Sequence, residues 1–550
     1  MDAENREALQ ADLELLYGDS AAEVTERIAA LIERWRAEIV ARPHGWSERD
    51  AMLITYADSV GAEGDVGLVE LRKFLQEWVG DRISFLHLLP FYPWTSDDGF
   101  SVVDFREVGL DYGHWEDVDA LAEDGYRMVF DGVVNHVSQE SAYVRGFLDG
   151  DSDYEGFCIE EDPGFDSSQV TRPRTSPLFH EYGSSRGPVK LWTTFSRDQV
   201  DLNYREPSVL LEMLDVLLFY SGQGASMIRL DAIPFMWKKS GDPSVHLPQT
   251  HAFIRIVRRV FDLAAPHLLL LSETNVPHKE NLTYFGDRGD EAQIIYNFSL
   301  APLVIHAFAT GDASVLSDWA KTLEPVGERC TFLNITATHD GIGMRPTEGI
   351  LDELGRKVLT DLTLARGGRV STRSNPDGSE SPYELNITYF DAINDPGDTN
   401  LDQQTQVKRF LCSQAIAMAM MGIPAVYIHC LLGSRNDVAG RDASGIARRI
   451  NREKLNPEGV ALELGDEGSL RSQVLVGMLA LLAQRQAIAA FHPHAAQEVL
   501  ELGPGVFGLR RKRGDGEGVI ALHNVTEELQ EIGEFGDPLA PFEVRWLTVS

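Results

Sequence analysis

Cysteine is scarce in this chain, with four residues among 550 and none in CxxC spacing: Cys158, Cys330, Cys412 and Cys430. The absence of paired spacing argues against a zinc site, and four scattered cysteines in a chain this long argue against a disulfide framework. We therefore expect free, mostly buried thiols in a protein that resides in a reducing compartment.

Basic residues are also few, with 49 Lys and Arg against 85 Asp and Glu, so the formal net charge is −36. An anionic field of this size repels nucleic acid and acidic membrane surfaces, and we expect neither as a partner. If the substrate is itself anionic, the protein must build a local cationic pocket against its own field.

Long uninterrupted hydrophobic runs are missing as well. The first 20 residues are acidic and lack the apolar core of a signal peptide. The most apolar segment, 410–430, is interrupted by "MGIP", which favours a buried helix followed by a buried strand over a membrane span. The sequence therefore predicts a cytoplasmic protein with small-molecule partners, as a monomer or homodimer.

Short apolar runs alternate with helical stretches along most of the chain. This alternation predicts an α/β fold with a parallel sheet covered on both faces, and eight such strands close a (β/α)8 TIM barrel. An open doubly wound sheet is the alternative, but no glycine fingerprint follows the first strand. The eight runs are 53–58, 85–91, 126–136, 227–233, 268–274, 294–299, 332–340 and 423–430.

Two gaps between the predicted strands are too long for simple connections and indicate insertions. Both should lie above the carboxyl ends of the strands, where they would roof an active site. The predicted divisions are an N-terminal helical extension (1–45), the barrel (46–136, 206–340 and 406–489), insertions after the third strand (137–205) and seventh strand (341–405), and a C-terminal antiparallel β domain (490–550).

Polar residues mark the ends of the apolar runs, as catalytic residues do in barrel enzymes. Asp231, Glu273 and Asp340 follow three different strands and should converge on one mouth of the barrel. Any one of these carboxylates alone would more often be structural, but their joint placement favours catalysis. The other polar residues at strand ends are Asp131, Asn135, His136, Arg229 and His339.

Converging carboxylates suit the cleavage of a glycosidic bond. One supports or attacks the anomeric carbon and another protonates the leaving oxygen. We expect Arg229 to lower the pKa of Asp231 and keep it ionised, and partial desolvation to raise the pKa of Glu273 so that it serves as the acid.

Four motifs at these strand ends resemble the four conserved regions of glycoside hydrolase family 13, the α-amylase family, over residues 50–490. The motifs are "DGVVNH" (131–136), "IRLDAI" (228–233), "LLLLSET" (268–274) and "TATHD" (336–340). The resemblance implies a retaining double displacement with Asp231 as nucleophile, Glu273 as general acid/base and Asp340 as transition-state stabiliser. It also implies that His136, Arg229 and His339 hold the glucosyl unit.

A narrower resemblance, to the sucrose phosphorylase subfamily, rests on "HLLPFYPWTSDDGFSVVDFREV" (87–108), "WTTF" (192–195), "HDGIG" (339–343) and "RRINR" (448–452). It implies that inorganic phosphate, as co-substrate, opens a glucosyl-enzyme to give α-glucose 1-phosphate, without cofactor or metal. Asp97, Phe100 and Arg448 match donor-subsite residues. Arg174, in "TRPR" (171–174), and Tyr383 match residues near phosphate.

The chain departs from the plain sucrose phosphorylase pattern in its N-terminal extension, 235–251 and 381–390, which resemble relatives that act on glucosylglycerate or sucrose 6'-phosphate. We predict sucrose 6'-phosphate as donor, with glucosylglycerate or sucrose as alternatives. Glu384 is expected at the acceptor, where the subfamily carries glutamine. Candidates for an anionic acceptor group are Lys238, Lys239, Arg174 and Arg345.

Two other functions fit the same fold. One is hydrolysis or transglucosylation, with water or a sugar replacing phosphate. The other is a catalytically inactive sugar-binding barrel, although the intact set of carboxylates argues against it. Calcium is not indicated, because Asn135 is the sole recognisable ligand.

Overall fold

The structure of the protein, a computed structural model, describes residues 1–375 and 378–549. Residues 376–377 of the predicted second insertion and the last residue of the predicted C-terminal domain lie outside the described residues. In chain order the strands are β1 (Met52–Thr55), β2 (Phe85–Leu88), β3 (Arg127–Gly132), β4 (His136–Ser138), β5 (Phe179–Ser184), β6 (Gly187–Trp192), β7 (Gln199–Asp201), β8 (Ala225–Leu230), β9 (Leu269–Ser272), β10 (Ile294–Tyr296), β11 (Thr331–Ile335), β12 (Ile342–Gly343), β13 (Arg369–Ser374), β14 (Glu380–Asn386), β15 (Ile423–Tyr427), β16 (Ala496–Leu500), β17 (Val506–Lys512), β18 (Gly518–Asn524) and β19 (Val544–Val549).

Helices fill most of the intervals between these strands. They are α1 (Ala3–Tyr17), α2 (Ala21–Glu38), α3 (Gly67–Phe74), α4 (Trp115–Glu123), α5 (Ala142–Asp149), α6 (Pro207–Gly222), α7 (Pro248–Ala264), α8 (His278–Leu282), α9 (Leu300–Thr310), α10 (Ser314–Ala320), α11 (Glu353–Ala365), α12 (Tyr389–Ile393), α13 (Gln403–Ala419), α14 (Ile428–Leu431), α15 (Val438–Ser444), α16 (Pro457–Gly465) and α17 (Leu470–Gln486).

Eight strands close into a barrel in the order β1-β15-β11-β10-β9-β8-β3-β2, and every pair is parallel. Each corresponds to one of the predicted apolar runs, so the (β/α)8 prediction is confirmed and the open sheet is excluded. The fourth barrel strand, β8, ends at Leu230, earlier than predicted. Ala232 has a left-handed backbone conformation (φ +49°), which is incompatible with a β-strand.

The two long gaps fold as small subdomains above the barrel. The first, after β3, contains α5, the antiparallel pair β4 and β7, and the β5–β6 hairpin. The second, after β11, contains a three-stranded antiparallel sheet in the order β12-β14-β13 together with α11 and α12. Both contribute side chains to the cleft described below.

The ends of the chain pack on the outside of the barrel. At the N-terminus, α1 and α2 bury apolar residues that include Leu9, Leu13 and Ile28 against α7 and α6. At the C-terminus, β16–β19 form a four-stranded antiparallel sheet, as predicted. All four cysteines are buried and free.

The apolar segment 410–430 folds as the buried helix α13 followed by the buried strand β15, as predicted. Within the described residues, no helix combines the length and apolarity needed to cross a bilayer.

Arg485, at the end of α17, ties the barrel to the segments around it. Its side chain is fully buried, and all of its recorded hydrogen bonds go to backbone carbonyl groups. Those acceptors are Met418 (3.0 Å), Asp50 (3.1 Å), Phe491 (3.1 Å), Gly422 (3.3 Å) and Glu48. One guanidinium therefore donates hydrogen bonds to carbonyl groups before β1, before β15 and at the start of the C-terminal domain.

We expect Arg485→Met to lower the free energy of unfolding by about 3 kcal/mol or more, because several buried carbonyl groups lose their donor at once. Urea denaturation followed by far-UV circular dichroism measures this loss. The matched control is Arg510→Met, which removes an exposed ion pair with Glu498 and should cost less than about 1 kcal/mol. Equal losses in the two variants would contradict this role.

Candidate active site

A cleft opens at the carboxyl ends of the barrel strands, and the two insertions close over it. Asp231, Glu273 and Asp340, which follow β8, β9 and β11, all line this cleft. Residues 171–174 of the first insertion form part of the facing wall. About 790 Å³ is free of protein atoms here, counting space open to solvent. The structure thus brings together carboxylates that are far apart in the sequence.

Of the residues predicted to bind the glucosyl unit, to lie near phosphate or, as Glu384, to contact the acceptor, all but one line the same cleft. Asp97 and Phe100 come from the loop after β2, and His136 from the start of β4. The remaining predicted residues that line the cleft are Arg174, His339, Tyr383, Glu384 and Arg448.

Arg229 is the exception, because its side chain lies beneath the floor of the cleft with 3% exposure. Its Nη1 donates to Asp131 and, at 2.9 Å, to Asp231 Oδ1. Asp131 and Arg229 are register partners across β3 and β8, and the other oxygen of Asp131 lies 2.9 Å from His87 Nε2. The geometry of Arg229 fits the positioning of Asp231 rather than the predicted contact with the sugar.

The carboxyl group of Asp231 titrates differently from the sequence expectation. Burial raises the pKa of Asp231 to about 7 against the lowering effect of Arg229, and the negative charges of Asp131 and Asp340 raise it further. The guanidinium of Arg229 is shared with Asp131, whose pKa stays below its usual value, and its effect on Asp231 does not offset the desolvation of that carboxylate. Arg229 lowers the pKa of Asp231, as expected, but burial outweighs this effect and the pKa is raised on balance.

Glu273 also has a raised pKa, as predicted. Burial raises the pKa of Glu273 to about 7, opposed by Arg229 and reinforced by the charges of Asp231 and Asp340. Its Oε2 accepts the backbone N–H of Ala232 at 3.0 Å.

Asp231 and Glu273 form a coupled pair that should lose its protons in two steps. When the pair holds one proton, we place it on Glu273. Asp231 accepts a charge-assisted hydrogen bond from Arg229, which stabilises an anion more than the neutral amide donor of Glu273 does. The site therefore has one ionised and one protonated carboxyl group near neutral pH.

Asp340 stays ionised throughout this range. Burial alone would raise its pKa, but Arg448, His339 and Arg452 together hold the pKa of Asp340 well below its usual value. Arg448 Nη1 lies 2.6 Å from Asp340 Oδ1, and Arg452 Nη2 lies 3.7 Å from the same atom. Asp340 is thus a permanent anion beside the coupled pair.

The backbone after Asp231 turns sharply because Ala232 has φ +49° and ψ +29°. A left-handed conformation at an alanine costs about 1–2 kcal/mol, which the surrounding structure must offset. The turn directs the N–H of Ala232 to Glu273 and ends β8 immediately before Asp231. The strained turn therefore connects Asp231 to Glu273, because the residue after Asp231 donates its backbone N–H to Glu273.

The loop after β2 presents Asp97 to the cleft and turns Asp98 away from it. Asp97 and Asp98 both have positive φ, and Asp98 is held by Arg452 at 2.7 Å and Arg449 at 3.4 Å. The next position requires glycine, because a Cβ on Gly99 would lie 2.5 Å from the carbonyl oxygen of Pro90. Of the two adjacent aspartates, Asp97 is therefore the one placed to meet a ligand.

Two aromatic rings form an apolar wall in the cleft. Phe100 stacks on His339 with centroids 4.7 Å apart and planes within 6° of parallel. His136 Nε2 lies 2.9 Å from the carbonyl oxygen of Phe100, and Gln199 Nε2 lies 3.3 Å from both His136 Nε2 and Asp97 Oδ2. A flat apolar face beside carboxylates and imidazoles suits the alternating apolar and hydroxyl surfaces of a sugar ring.

Glu384 lines the cleft, but its carboxylate already has a partner. Arg448 grips it as a fork, with Nε donating to Oε2 at 3.0 Å and Nη2 to Oε1. The same arginine contacts Asp340, so Asp340, Arg448 and Glu384 form a chain of alternating charge. This fork differs from the predicted acceptor contact, because the oxygens of Glu384 are engaged by Arg448.

Four further arginines line the outer part of the cleft, and we call them the rim arginines: Arg172, Arg174, Arg345 and Arg373. Two belong to the first insertion and two to the second. Arg174 Nη1 lies 4.0 Å from Glu384 Oε1, and the guanidinium carbon of Arg174 lies 6.0 Å from the centre of the Tyr383 ring. In a chain of net charge −36, this is a concentrated positive region.

Lys238 and Lys239, predicted as candidates for an anionic acceptor, do not line the cleft. Lys239 pairs with Asp242 in solvent, and the buried Lys238 donates to Asp201 Oδ2 at 2.7 Å. Asn135 Nδ2 also donates to Asp201, at 3.3 Å, so a lysine ammonium supplies the positive charge there. No group of three or more His, Cys, Asp or Glu within residues 1–375 and 378–549 is arranged to hold a metal ion.

Sequence reasoning did not single out Gln199, Asn275 or Arg373, whose polar side chains line the cleft. Asn275 packs so closely that a Cβ on Gly343 would lie 2.3 Å from its Oδ1. Arg172 also lines the cleft, beside Arg174 in the same "TRPR" motif, where the sequence prediction assigns the phosphate role to Arg174. For Arg172 and Arg373, the sequence offers one signal: basic residues are scarce in this chain, so an arginine in either insertion is a candidate for binding an anion.

Comparison with known proteins agrees with this geometry. A profile of the α-amylase catalytic domain matches residues 61–338. Among solved structures, the sucrose 6F-phosphate phosphorylase from Thermoanaerobacter thermosaccharolyticum superposes with a TM-score of 0.76 and 24% identity, covering 89% of this chain and 98% of that one.

Two curated relatives are more similar in sequence. A protein of Spirochaeta thermophila named glucosylglycerate phosphorylase is 45% identical, over 94% of this chain and 89% of its own length. A protein of the same name from Allomeiothermus silvanus is 44% identical over 99% of both chains. The profile match and these near full-length relatives establish that the chain belongs to the α-amylase family, glycoside hydrolase family 13.

Proposed function

We propose that this protein is a glucosylglycerate phosphorylase, which converts the α-glucoside of glycerate and inorganic phosphate into α-glucose 1-phosphate and glycerate. The observation that carries the proposal is that four rim arginines line the same cleft as three carboxylates, in a strongly acidic chain. The names of the two relatives at 44–45% identity support the same substrate.

In the first step Asp231 attacks the anomeric carbon while the C–O bond to glycerate breaks. Glu273 delivers its proton to the departing oxygen, which leaves as the hydroxyl of glycerate. Asp340, anionic and fixed by Arg448, stabilises the positive charge that develops on the sugar. Asp97, Phe100, His136 and His339 bind the glucosyl unit.

In the second step a phosphate oxygen attacks the anomeric carbon of the glucosyl-enzyme. The bond from this carbon to Asp231 breaks, and Glu273, now ionised, takes a proton from the phosphate. Arg174, beside Tyr383, holds the phosphate in place of water. Two inversions leave the product in the α configuration of the donor.

The anionic character of both substrates explains why the rim is cationic. Phosphate competes with water at high concentration when fixed guanidinium groups bind it. Glycerate adds a carboxylate, whereas the neutral acceptors fructose and glycerol add no charge. With glucosylglycerate as donor, the rim arginines can therefore bind both phosphate and the carboxylate of glycerate.

This proposal replaces sucrose 6'-phosphate, the donor first predicted from the sequence. The solved phosphorylase named for that substrate is 24% identical to this chain, against 44–45% for the two glucosylglycerate phosphorylases. The alternative donor of the sequence prediction is therefore the better supported one.

A substrate panel tests the proposal. The protein is incubated with glucosylglycerate, sucrose, sucrose 6'-phosphate or glucosylglycerol, with and without phosphate, and glucose 1-phosphate and free glucose are measured. We expect glucosylglycerate with phosphate to give glucose 1-phosphate at the highest kcat/KM. Faster turnover of sucrose 6'-phosphate, or glucose formed at the same rate without phosphate, would contradict the proposal.

The pH dependence should follow the coupled pair. The first step requires one proton on the pair, so kcat/KM should fall at low pH, where both groups are protonated, and at high pH, where both are ionised. Because burial raises the pKa of both carboxyls, the acid limb should lie above pH 4, near which an ordinary aspartate titrates.

Initial rates with subsaturating glucosylglycerate between pH 4 and 10 measure this profile. An α-glucosyl fluoride donor is the control, because fluoride leaves with little help from an acid and the alkaline limb should be shallower. Full activity maintained down to pH 4 would contradict the raised pKa of Asp231.

A further inference from the structure

Three of the four rim arginines fall into two electrostatic groups with different carboxylate neighbours. Arg174 lies near Glu384, which belongs to the chain of charge that includes Asp340. Arg345 and Arg373 lie near Glu348 instead, at 4.0 Å and 3.2 Å. The two groups are thus placed to bind two different anionic groups.

The guanidinium groups of Arg345 and Arg373 have unused donors. Their side chains are 14% and 23% exposed, and both line the cleft. Arg373 donates to Glu348 and, at 3.2 Å, to Ser381, whereas Arg345 makes no recorded side-chain hydrogen bond within the described part of the chain. Its Nε is buried without a hydrogen-bond partner there. Leaving such donors unpaired is costly, and a ligand carboxylate would satisfy them as a fork.

The guanidinium groups of Arg345 and Arg373 also repel each other. Burial and the neighbouring charge of Arg345 lower the pKa of Arg373, while Glu348 acts in the opposite direction. The second neighbour of Arg345 is Glu280, which lies 3.7 Å away, is 44% exposed and also contacts His246. Glu348 is therefore the group that holds the two like charges together.

We propose that Arg345 and Arg373 clamp the carboxylate of glycerate, with Glu348 as the positioning residue, and so select anionic over neutral acceptors. This inference rests on the proposed function. The phosphate must bring an oxygen to the anomeric carbon, which suits Arg174 beside the Asp340–Arg448–Glu384 chain. The carboxylate does not react, so its clamp belongs farther from that chain, where the Glu348 pair lies.

The acceptor step isolates the contribution of the clamp. In the synthetic direction, a hydroxyl oxygen of glycerate attacks the glucosyl-enzyme, the bond from the anomeric carbon to Asp231 breaks, and the hydroxyl proton passes to Glu273. Glycerol reacts by the same bond changes but has no carboxylate. Every acceptor competes for the same intermediate, so product ratios are independent of how the donor bound.

The experiment forms the glucosyl-enzyme from α-glucosyl fluoride, a donor without phosphate or carboxylate, and offers equal concentrations of glycerate and glycerol. Products are separated by anion-exchange chromatography. Arg373→Gln should lower the glucosylglycerate to glucosylglycerol ratio about 30- to 100-fold, the effect of losing a charge-assisted hydrogen-bond pair. Arg345→Gln should act in the same direction and serves if the first variant fails to fold.

Glu348→Gln should lower the ratio by a smaller factor, about 5- to 10-fold, and Glu348→Asp should restore part of it. Arg369→Gln is the matched control, because Arg369 lies on β13 with Arg373 but does not line the cleft. Its product ratio should equal that of the wild type. Thermal unfolding of each variant identifies those that are merely unstable.

A third arm offers phosphate and glycerol together. The ratio of glucose 1-phosphate to glucosylglycerol should fall much less in Arg373→Gln than the glycerate ratio does, and a parallel fall would assign the pair to phosphate and overturn the inference. An unchanged glycerate ratio would overturn the clamp alone. Failure of the wild type to make any glucosylglycerate would overturn the proposed function, and the clamp with it.

Discussion

Asp231→Asn is expected to lower kcat with glucosylglycerate and phosphate by about 10⁴-fold or more, because an amide cannot form the covalent bond that divides the reaction into two steps. The side chain keeps its size and its place beside Arg229, so the fold should remain. Measurement of glucose 1-phosphate release by the variant, together with its thermal midpoint, separates lost chemistry from lost stability.

The matched control is Asp242→Asn, in the loop that follows β8. Asp242 pairs with Lys239 near the surface and does not line the cleft, so turnover should stay near the wild-type rate. Turnover by Asp231→Asn within tenfold of wild type would refute the nucleophile assignment. So would a loss of the same size in the control.

Glu273→Gln should show the second large effect, about 10²- to 10⁴-fold on kcat/KM with glucosylglycerate, because the glycerate alkoxide is a poor leaving group without a proton. The effect should depend on the donor. With α-glucosyl fluoride, formation of the glucosyl-enzyme needs little acid assistance, and the loss in that step should be tenfold or less. Pre-steady-state release of fluoride measures this step alone.

Asp340→Asn provides the contrast for that experiment, because stabilisation of the sugar cation is required whatever the leaving group. It should slow both donors to a similar extent. If Glu273→Gln also slowed both donors equally, Glu273 would not be the acid.

The sequence predicts the barrel and the three carboxylates because both depend on local patterns. Each barrel strand is a short apolar run, as expected for a parallel strand covered on both faces, and its short length distinguishes it from a buried helix. Asp231, Glu273 and Asp340 could be placed together because parallel strands end at one mouth. The end of β8 was misjudged, since the left-handed turn at Ala232 has no signature in an alanine.

The electrostatic state of the site depends on contacts that a linear pattern does not reveal. Arg229 is two residues from Asp231, yet its charge is shared with Asp131 from the neighbouring strand, and burial then dominates the pKa of Asp231. The fork between Arg448 and Glu384 joins segments 64 residues apart. Arg373 lies on a hairpin whose position over the cleft is set by tertiary packing alone.

The most direct test of the account is proton NMR of wild-type protein acting on glucosylglycerate in phosphate buffer. The account predicts that the first sugar product is α-glucose 1-phosphate, that it appears in step with glycerate, and that its rate rises with phosphate until saturation. Initial formation of the β anomer, or of free glucose at a rate independent of phosphate, would contradict it.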